Sequence, residues 1–239
     1  MSGIYERSLL LGSEHVDCFR RLRVSALFTL LQTAAIRHTE ELGVRRDKTL
    51  DRGLLWVVAR QHVVVERMPV YDERITLRSW PGEMMRVLFP RYYELTDEAG
   101  TVLVRASAVW SLMDAQTREM AFPDEYGIEI PGTETGRELP YLVRLPAMEQ
   151  PNAFTFTVPY SCVDLNGHMN NARYFDAAED HLPAARSGAL LREVRAEYSA
   201  EARLGETLRV AWGEQDGTYC LSGTGTRTCF RMSLAYDAR

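Results

Sequence analysis

Lysine is nearly missing from this 239-residue chain: Lys48 is the only one, and arginine supplies the rest of its 28 basic residues. Positive charge is short overall, since 33 acidic residues leave a formal net charge of −5 and a pI near 5.6. That balance does not suit a phosphate backbone, so no nucleic acid is expected as a partner. No apolar run reaches the ~18 residues of a membrane span, so no membrane association is expected. The opening "MSGIYERSLLLGSEHVD" has no basic leader followed by an apolar segment, which predicts a cytoplasmic protein. Cys18, Cys162, Cys220 and Cys229 form no Cys-x-x-Cys pair and read as reduced thiols. No Gly-x-Ser-x-Gly elbow occurs, which removes the commonest serine-hydrolase geometry. The glycines of "SGTGTRT" fall in an expected C-terminal strand, not a strand-to-helix turn, so they make no phosphate loop. No cofactor is called for.

What is present is ordinary globular material. Hydrophobic content is 46% and charged content 26%, enough for one large domain or two modest ones. The chain also repeats itself. "HVDCFRRLRVSALF" (15–28) lies against "CVDLNGHMNNARYF" (162–175), matching Val16 to Val163, Asp17 to Asp164 and Phe28 to Phe175 at an offset of 147 (163 − 16). "VVVERMPVYDERITLRSWPGE" (63–83) lies against "VRAEYSAEARLGETLRVAWGE" (194–214) at an offset of 131 (194 − 63). There Val63, Glu66, Thr76, Leu77, Arg78, Gly82 and Glu83 meet identical residues. Two matches in the same order predict a duplicated domain.

Periodicity supports this. "YERSLLLG" is strand-like, and "RLRVSALFTLLQTAAIRHTEELG" has helical apolar spacing ending on Gly43. Four strands follow, "LLWVVARQHVVVE", "ERITLRSW", "RVLFPRYYELT" and "TVLVRASAVWSLMD", the last two joined by the turn "DEAG". The second half repeats the order: "AFTFTVPY", a helix from about Asn171 to Arg186, then "LLREVRAEYS", "ETLRVAWGEQ", "YCLSGTGT" and "RTCFRMSLAY", with Asp216-Gly217 as a hairpin turn. Pro123, Pro131, Pro140 and Pro146 mark an aperiodic linker. The expected organisation is α+β: units 1–122 and 151–239 joined by 123–150, each a long helix wrapped by an antiparallel sheet.

"VDLNGHMNN" (163–171) concentrates Asp164, Asn166, His168, Asn170 and Asn171 at the mouth of the second helix. Helix capping is one reading; a reaction site is the other. The repeat separates them. At the first offset Asn166 corresponds to Phe19 and His168 to Arg21, while at the second Glu201 corresponds to Val70. Both helices need a cap, yet only one half keeps the polar set. Asn170 and Asn171 carry both readings, holders of helix-start geometry or substrate contacts. His15, His38 and His62 are scattered singly. Asp164, His168, Cys162 and His181 lack metal-ligand spacing, so no metal is expected.

With "DLNGHMNN", "LLWVVARQHVVVERMP" and "AEYSAEARLGETL" in hand, the chain resembles tandem hotdog proteins, and more narrowly the acyl-ACP thioesterases of bacteria and plants. The resemblance covers nearly the whole chain. It implies a double hotdog fold, hydrolysis of fatty acyl thioesters, and acyl carrier protein as partner, with a homodimer as an option. It also implies Asp164, Asn166, His168 and Glu201 as catalytic residues. Trp56 and Val58 are then candidates for an acyl tunnel shaped by the first half. Plant members carry Cys after the Glu; here it is Ala202, so a Cys–His mechanism is not supported. Alkyl thiols have a pKa of about 8.5, so the departing thiolate needs little protonation and no full Ser-His-Asp relay is required. Asp164 or Glu201 would activate water or attack the carbonyl itself. Asn166 and N–H groups at the helix start would polarise the carbonyl oxygen. Competing readings are an acyl-CoA thioesterase, an acyl-thioester dehydratase or hydratase, and a non-catalytic acyl-thioester binder.

Overall fold

The structure, a computed structural model, describes residues 3–141 and 143–237. Met1, Ser2, Leu142, Ala238 and Arg239, which fall within the expected units and linker, lie outside the described residues. The first half runs β1 (Tyr5–Leu10), α1 (Val24–Glu41), β2 (Leu54–Val65), β3 (Arg74–Pro81), β4 (Phe89–Thr96) and β5 (Val102–Asp114). The second runs β6 (Asn152–Thr157), α2 (Arg173–Glu179), α3 (Pro183–Arg186), β7 (Leu191–Tyr198), β8 (Thr207–Gln215), β9 (Thr218–Thr224) and β10 (Thr228–Tyr236). All ten strands join one antiparallel sheet in the order β1-β3-β4-β5-β2-β7-β10-β9-β8-β6. The halves meet where β2 pairs with β7, which removes two edges that a single half would expose. Among the described residues no helix is long and apolar enough to cross a membrane.

Outer strands such as β8 alternate buried and exposed residues, whereas β4 is buried at every position, and α1 owes its length to Val24, Leu27, Phe28, Leu31, Ala34 and Ala35 on its buried side. This stripe lies on the sheet, giving one continuous core across both halves. The second helix departs from expectation. Apolar spacing continues to Arg186, but the helix stops at Glu179 and restarts at Pro183. Leu182, just before the proline, is extended (φ −80°, ψ 123°), because proline's ring disfavours helical geometry in the residue before it.

The first internal offset holds in hydrogen bonds. Asp17 N–H donates to Arg21 O as Asp164 N–H does to His168 O, and Arg20 N–H donates to Asp17 O as Gly167 N–H does to Asp164 O. The second offset is corrected. Leu11 N–H donates to Glu73 O, and its counterpart Val158 N–H donates to Glu206 O. The carboxylates of Glu73 and Glu206 accept from the N–H groups of Val70 and Arg203. The structural offset there is therefore 133 (206 − 73), and Glu201 corresponds to Met68, not Val70. A two-residue slip along a strand leaves every side chain on its original face, so alternation alone could not expose it. In the last strands the offset is 126 (229 − 103): Leu103 O accepts from Glu66 and Arg67 N–H as Cys229 O accepts from Ser199 and Ala200 N–H.

These relations define a pseudo-two-fold axis. It passes through the β2–β7 pair His62↔Arg195, about which the register is symmetric. The equivalent residues Phe28 and Phe175 stack with centroids 4.1 Å apart. The segment between the halves is a strap on the sheet. Trp80 Nε1 donates to Glu138 at 3.2 Å, Arg137 meets Glu94 at 2.9 Å, and His62 Nδ1 lies 2.8 Å from Pro140 O. Arg195 then donates to Arg144 O at 2.9 Å, and Ser222 to Gln150 at 2.6 Å.

Candidate active site

Asp164 closes a tight turn. Its Oδ1 accepts from Asn166 N–H at 2.8 Å, and Gly167 takes φ 81° to complete the reversal. Asp17 does the same for Phe19 N–H at 2.8 Å, so this part of Asp164's work is structural in both halves. Its other oxygen, Oδ2, accepts from Asn170 Nδ2 at 3.0 Å. Asn170 also donates to Gln32 of α1 at 3.2 Å and accepts from Ala172 N–H at 2.9 Å. Asn170 is thus the residue that steers the chain into α2, and Asp164 does not cap that helix.

After the turn the chain is laced to the segment beyond β7: Met169 N–H donates to Ala202 O at 2.8 Å, and His168 bridges Arg203. That lacing sets Glu201 beside His168. His168 Nδ1 faces Met169 O at 3.3 Å; a carbonyl only accepts, so this contact places the ring proton on Nδ1. Nε2 is then a buried acceptor with no hydrogen-bond partner among the described residues, 3.7 Å from Glu201 Oε1. Arg118, from the turn after β5, donates to the same oxygen at 2.7 Å.

These groups border a cavity of about 220 Å³. Asp164, Asn166, His168, Asn171 and Glu201 supply its polar lining, and Trp56, Val58, Trp110 and Met113 from β2 and β5 its apolar lining. A bulge between Val58 and Arg60 locally turns β2 here. Asn170 lies just outside, on a neighbouring cavity of about 260 Å³ that shares Gln32, Trp56, Trp110 and Asn166 and is flanked by Arg45 and Arg46. Tyr174 and Tyr198 also line the first cavity; Tyr198 OH donates to Gln61 at 3.0 Å. Burial pushes both phenols up, so they remain protonated. Among the described residues no group of three His, Cys, Asp or Glu converges as a metal site.

Sequence reasoning missed Arg118, Gln32, Trp110 and the two tyrosines. Arg118 lies in the half that lacks the polar set, within "DAQTRE", where nothing local distinguishes it from any surface turn. Only the closure of the two halves brings it to Glu201.

An acyl-[acyl-carrier-protein] hydrolase of Cuphea viscosissima is 25% identical over 194 residues, covering 72% of this chain and 45% of that protein. A dodecanoyl-[acyl-carrier-protein] hydrolase of Umbellularia californica is 26% identical over 186 residues, covering 72% and 49%. The chain thus spans about half the length of the curated relatives it matches. In fold, it superposes on an acyl-ACP thioesterase from Bacteroides thetaiotaomicron with a TM-score of 0.82 at 21% identity, covering 99% of this chain and 100% of that one. The 12:0-ACP thioesterase from Umbellularia californica gives a TM-score of 0.81 at 21% identity, covering 100% and 99%. The double hotdog expected from the sequence is the fold observed. Residues 3–128 match the acyl-ACP thioesterase N-terminal domain and residues 146–223 the C-terminal domain, so the chain belongs to the acyl-ACP thioesterase family.

Proposed function

We propose that the chain hydrolyses fatty acyl thioesters of acyl carrier protein to free fatty acid and free carrier. The observation that carries this reading is the pairing of His168 Nε2 with Glu201 Oε1, 3.7 Å apart at the edge of an apolar cavity. Both are acceptors, so a water held between them donates one proton to each and turns its lone pair toward the cavity. The acyl chain lies against Trp56, Val58 and Trp110. The Asn166 side chain and the Asn171 N–H, neither hydrogen-bonded among the described residues, face the thioester oxygen as it gains charge. Water oxygen bonds to the carbonyl carbon while its proton passes to Glu201 or His168. The tetrahedral species then collapses, the C–S bond breaks, and the carrier leaves as a thiolate. Asp164, tied to Asn166 N–H and Asn170, holds this geometry.

Arg45 and Arg46 are exposed at the neighbouring cavity and Arg52 is exposed a few residues further on, and an acidic carrier would dock there. The test is thiol release from acyl-ACP and acyl-CoA substrates of graded length, with product analysis. Free thiol with fatty acid, faster from acyl-ACP, supports the reading. An enoyl product, or no release from any acyl-ACP, overturns it.

A further inference from the structure

The pseudo-two-fold axis creates a second cavity, of about 390 Å³, from the equivalents of the residues around the first. Asp17 stands for Asp164, Arg21 for His168 and Met68 for Glu201. From the other half come Glu179 for Gln32 (offset 147), Leu191 for Val58 (offset 133) and Tyr236 for Trp110 (offset 126). The hydrolytic set is gone. Arg21 is spent on Gly188 O at 3.1 Å and Ala189 O at 3.2 Å, and lies 3.6 Å from Asp17.

Two polar groups in this cavity are unspent. Among the described residues the Tyr236 hydroxyl is buried without a hydrogen-bond partner, and the Glu179 carboxyl feels only burial and nearby charges, with no hydrogen bond to it. Burial, then the negative charges of Asp176, Asp17 and Asp180, push Glu179 up to about 8, with Arg21 opposing. Of the remaining charges facing the cavity, Arg67 pairs with Glu73, Arg192 with Asp237 and Glu66 with Arg105, while Arg23 donates from Nε to Val16 O. At neutral pH Glu179 is therefore mainly an uncharged O–H donor beside the Tyr236 O–H. A protonated carboxyl and a tyrosine in an apolar site form a donor pair for a carbonyl oxygen. Leu22, Val24, Met68, Leu190 and Leu191 supply apolar wall.

We propose that this second cavity binds the carbonyl of a neutral, apolar-tailed molecule (an ester, thioester or ketone), held by Glu179 and Tyr236. The site is separate from the catalytic cavity and does not depend on the hydrolase reading. Methyl heptyl ketone labelled at its carbonyl carbon, which no hydrolase can cleave, is titrated into the whole protein by NMR. Nonanoate and nonylamine serve as charged counterparts. The ketone is expected to bind best and to weaken about thirtyfold between about pH 6.5 and about pH 9.5, following the loss of one proton near 8. Glu179→Gln, which keeps shape and a donor, should bind without that pH dependence. Tyr236→Phe should weaken binding about tenfold. Thiol release should be unchanged in both. Ketone binding that persists unaltered in Glu179→Leu/Tyr236→Phe, or nonylamine binding that strengthens with pH, would overturn the proposal.

Discussion

Arg118 and Glu201 come from opposite halves of the chain, and Nη1 of the first lies 2.7 Å from Oε1 of the second. The turn that presents Arg118 is tightly held. Its φ is 60°, its N–H donates to Asp114 O at 3.0 Å, and Asp114 Oδ1 accepts from Gln116 and Thr117 N–H. The oxygen it grips is the one nearest His168, so Arg118 orients the proposed base. Partial exposure makes the pair a weak source of stability, but position matters more than energy here. Arg118→Ala should lower kcat about tenfold with KM nearly constant, and Arg118→Lys should restore part of it. A rise in kcat would mean that the guanidinium restrains the carboxylate rather than aims it.

The two carboxylates of the cavity should separate in kinetics and in stability. Glu201→Gln removes the proton acceptor and should cost about 100-fold or more in kcat. Asp164→Asn should cost less activity but lower stability by about 1 kcal/mol, because its amide keeps the Oδ1 acceptor for Asn166 N–H but sets an NH2 donor against the Asn170 Nδ2 donor in place of Oδ2. Asp17→Ala removes the Oδ1 acceptor of the equivalent turn at Phe19 and should show a similar stability loss with turnover untouched. Urea melts beside thiol-release assays decide this. Equal losses of turnover in Glu201→Gln and Asp164→Asn would remove the distinction between base and scaffold.

How much of this was legible follows from where the information sits. The hairpin at Asp216-Gly217 was, because both residues take positive φ (51° and 77°) and a local dipeptide demands it. The polar set at 164–168 was legible because it is contiguous and its repeat partner lacks it. The break before Pro183 was written in the chain but overridden by apolar spacing through Ala184 and Ala185. The true register of Glu201 was hidden, since slips by two preserve every face of a strand. Arg118 was invisible because its partner is 83 positions away.

Trp56 borders three spaces: the cavity beside Glu201, the one flanked by Arg45 and Arg46, and a small one beside the buried Arg91. Its ring packs edge-on against Phe89 with centroids 4.9 Å apart. Trp56→Ala should merge these spaces, shift the preferred acyl chain to longer lengths, and cost about 3 kcal/mol. A chain-length profile with competing acyl-ACPs checks it; an unchanged profile at reduced stability would confine Trp56 to packing.

The two equivalent turns differ in one strained residue. Gly167 adopts φ 81° at no steric cost, whereas Arg20 holds φ 63° at the matching position. Arg20→Gly should therefore stabilise the protein or leave it level, the strain of about 1 kcal/mol being offset by added chain entropy. Gly167→Ala should destabilise by about 1 kcal/mol and, by loosening the turn that carries Asn166, reduce kcat as well. Chemical denaturation of both variants is the check, and a stabilised Gly167→Ala would refute the conformational account.

Glu179 makes stability depend on pH in a predictable direction. An unfolded glutamate titrates near ~4.3, and the folded one is pushed up to about 8. Between those values the folded protein binds more protons than the unfolded chain, so this group lowers stability as pH rises and its effect is flat above 8. Glu179→Gln cannot ionise and escapes the penalty. Its own amide cost is the same at every pH, so the informative quantity is the change in the melting-temperature gap between variant and wild type. That gap should move in favour of the variant from about pH 5 to about pH 9, by about 10 °C for a change of about 4 kcal/mol at roughly 2–4 °C per kcal/mol for a chain of this size. A gap that stays constant would show that the Glu179 carboxyl ionises freely in the fold, and would leave Tyr236 without its proposed companion donor.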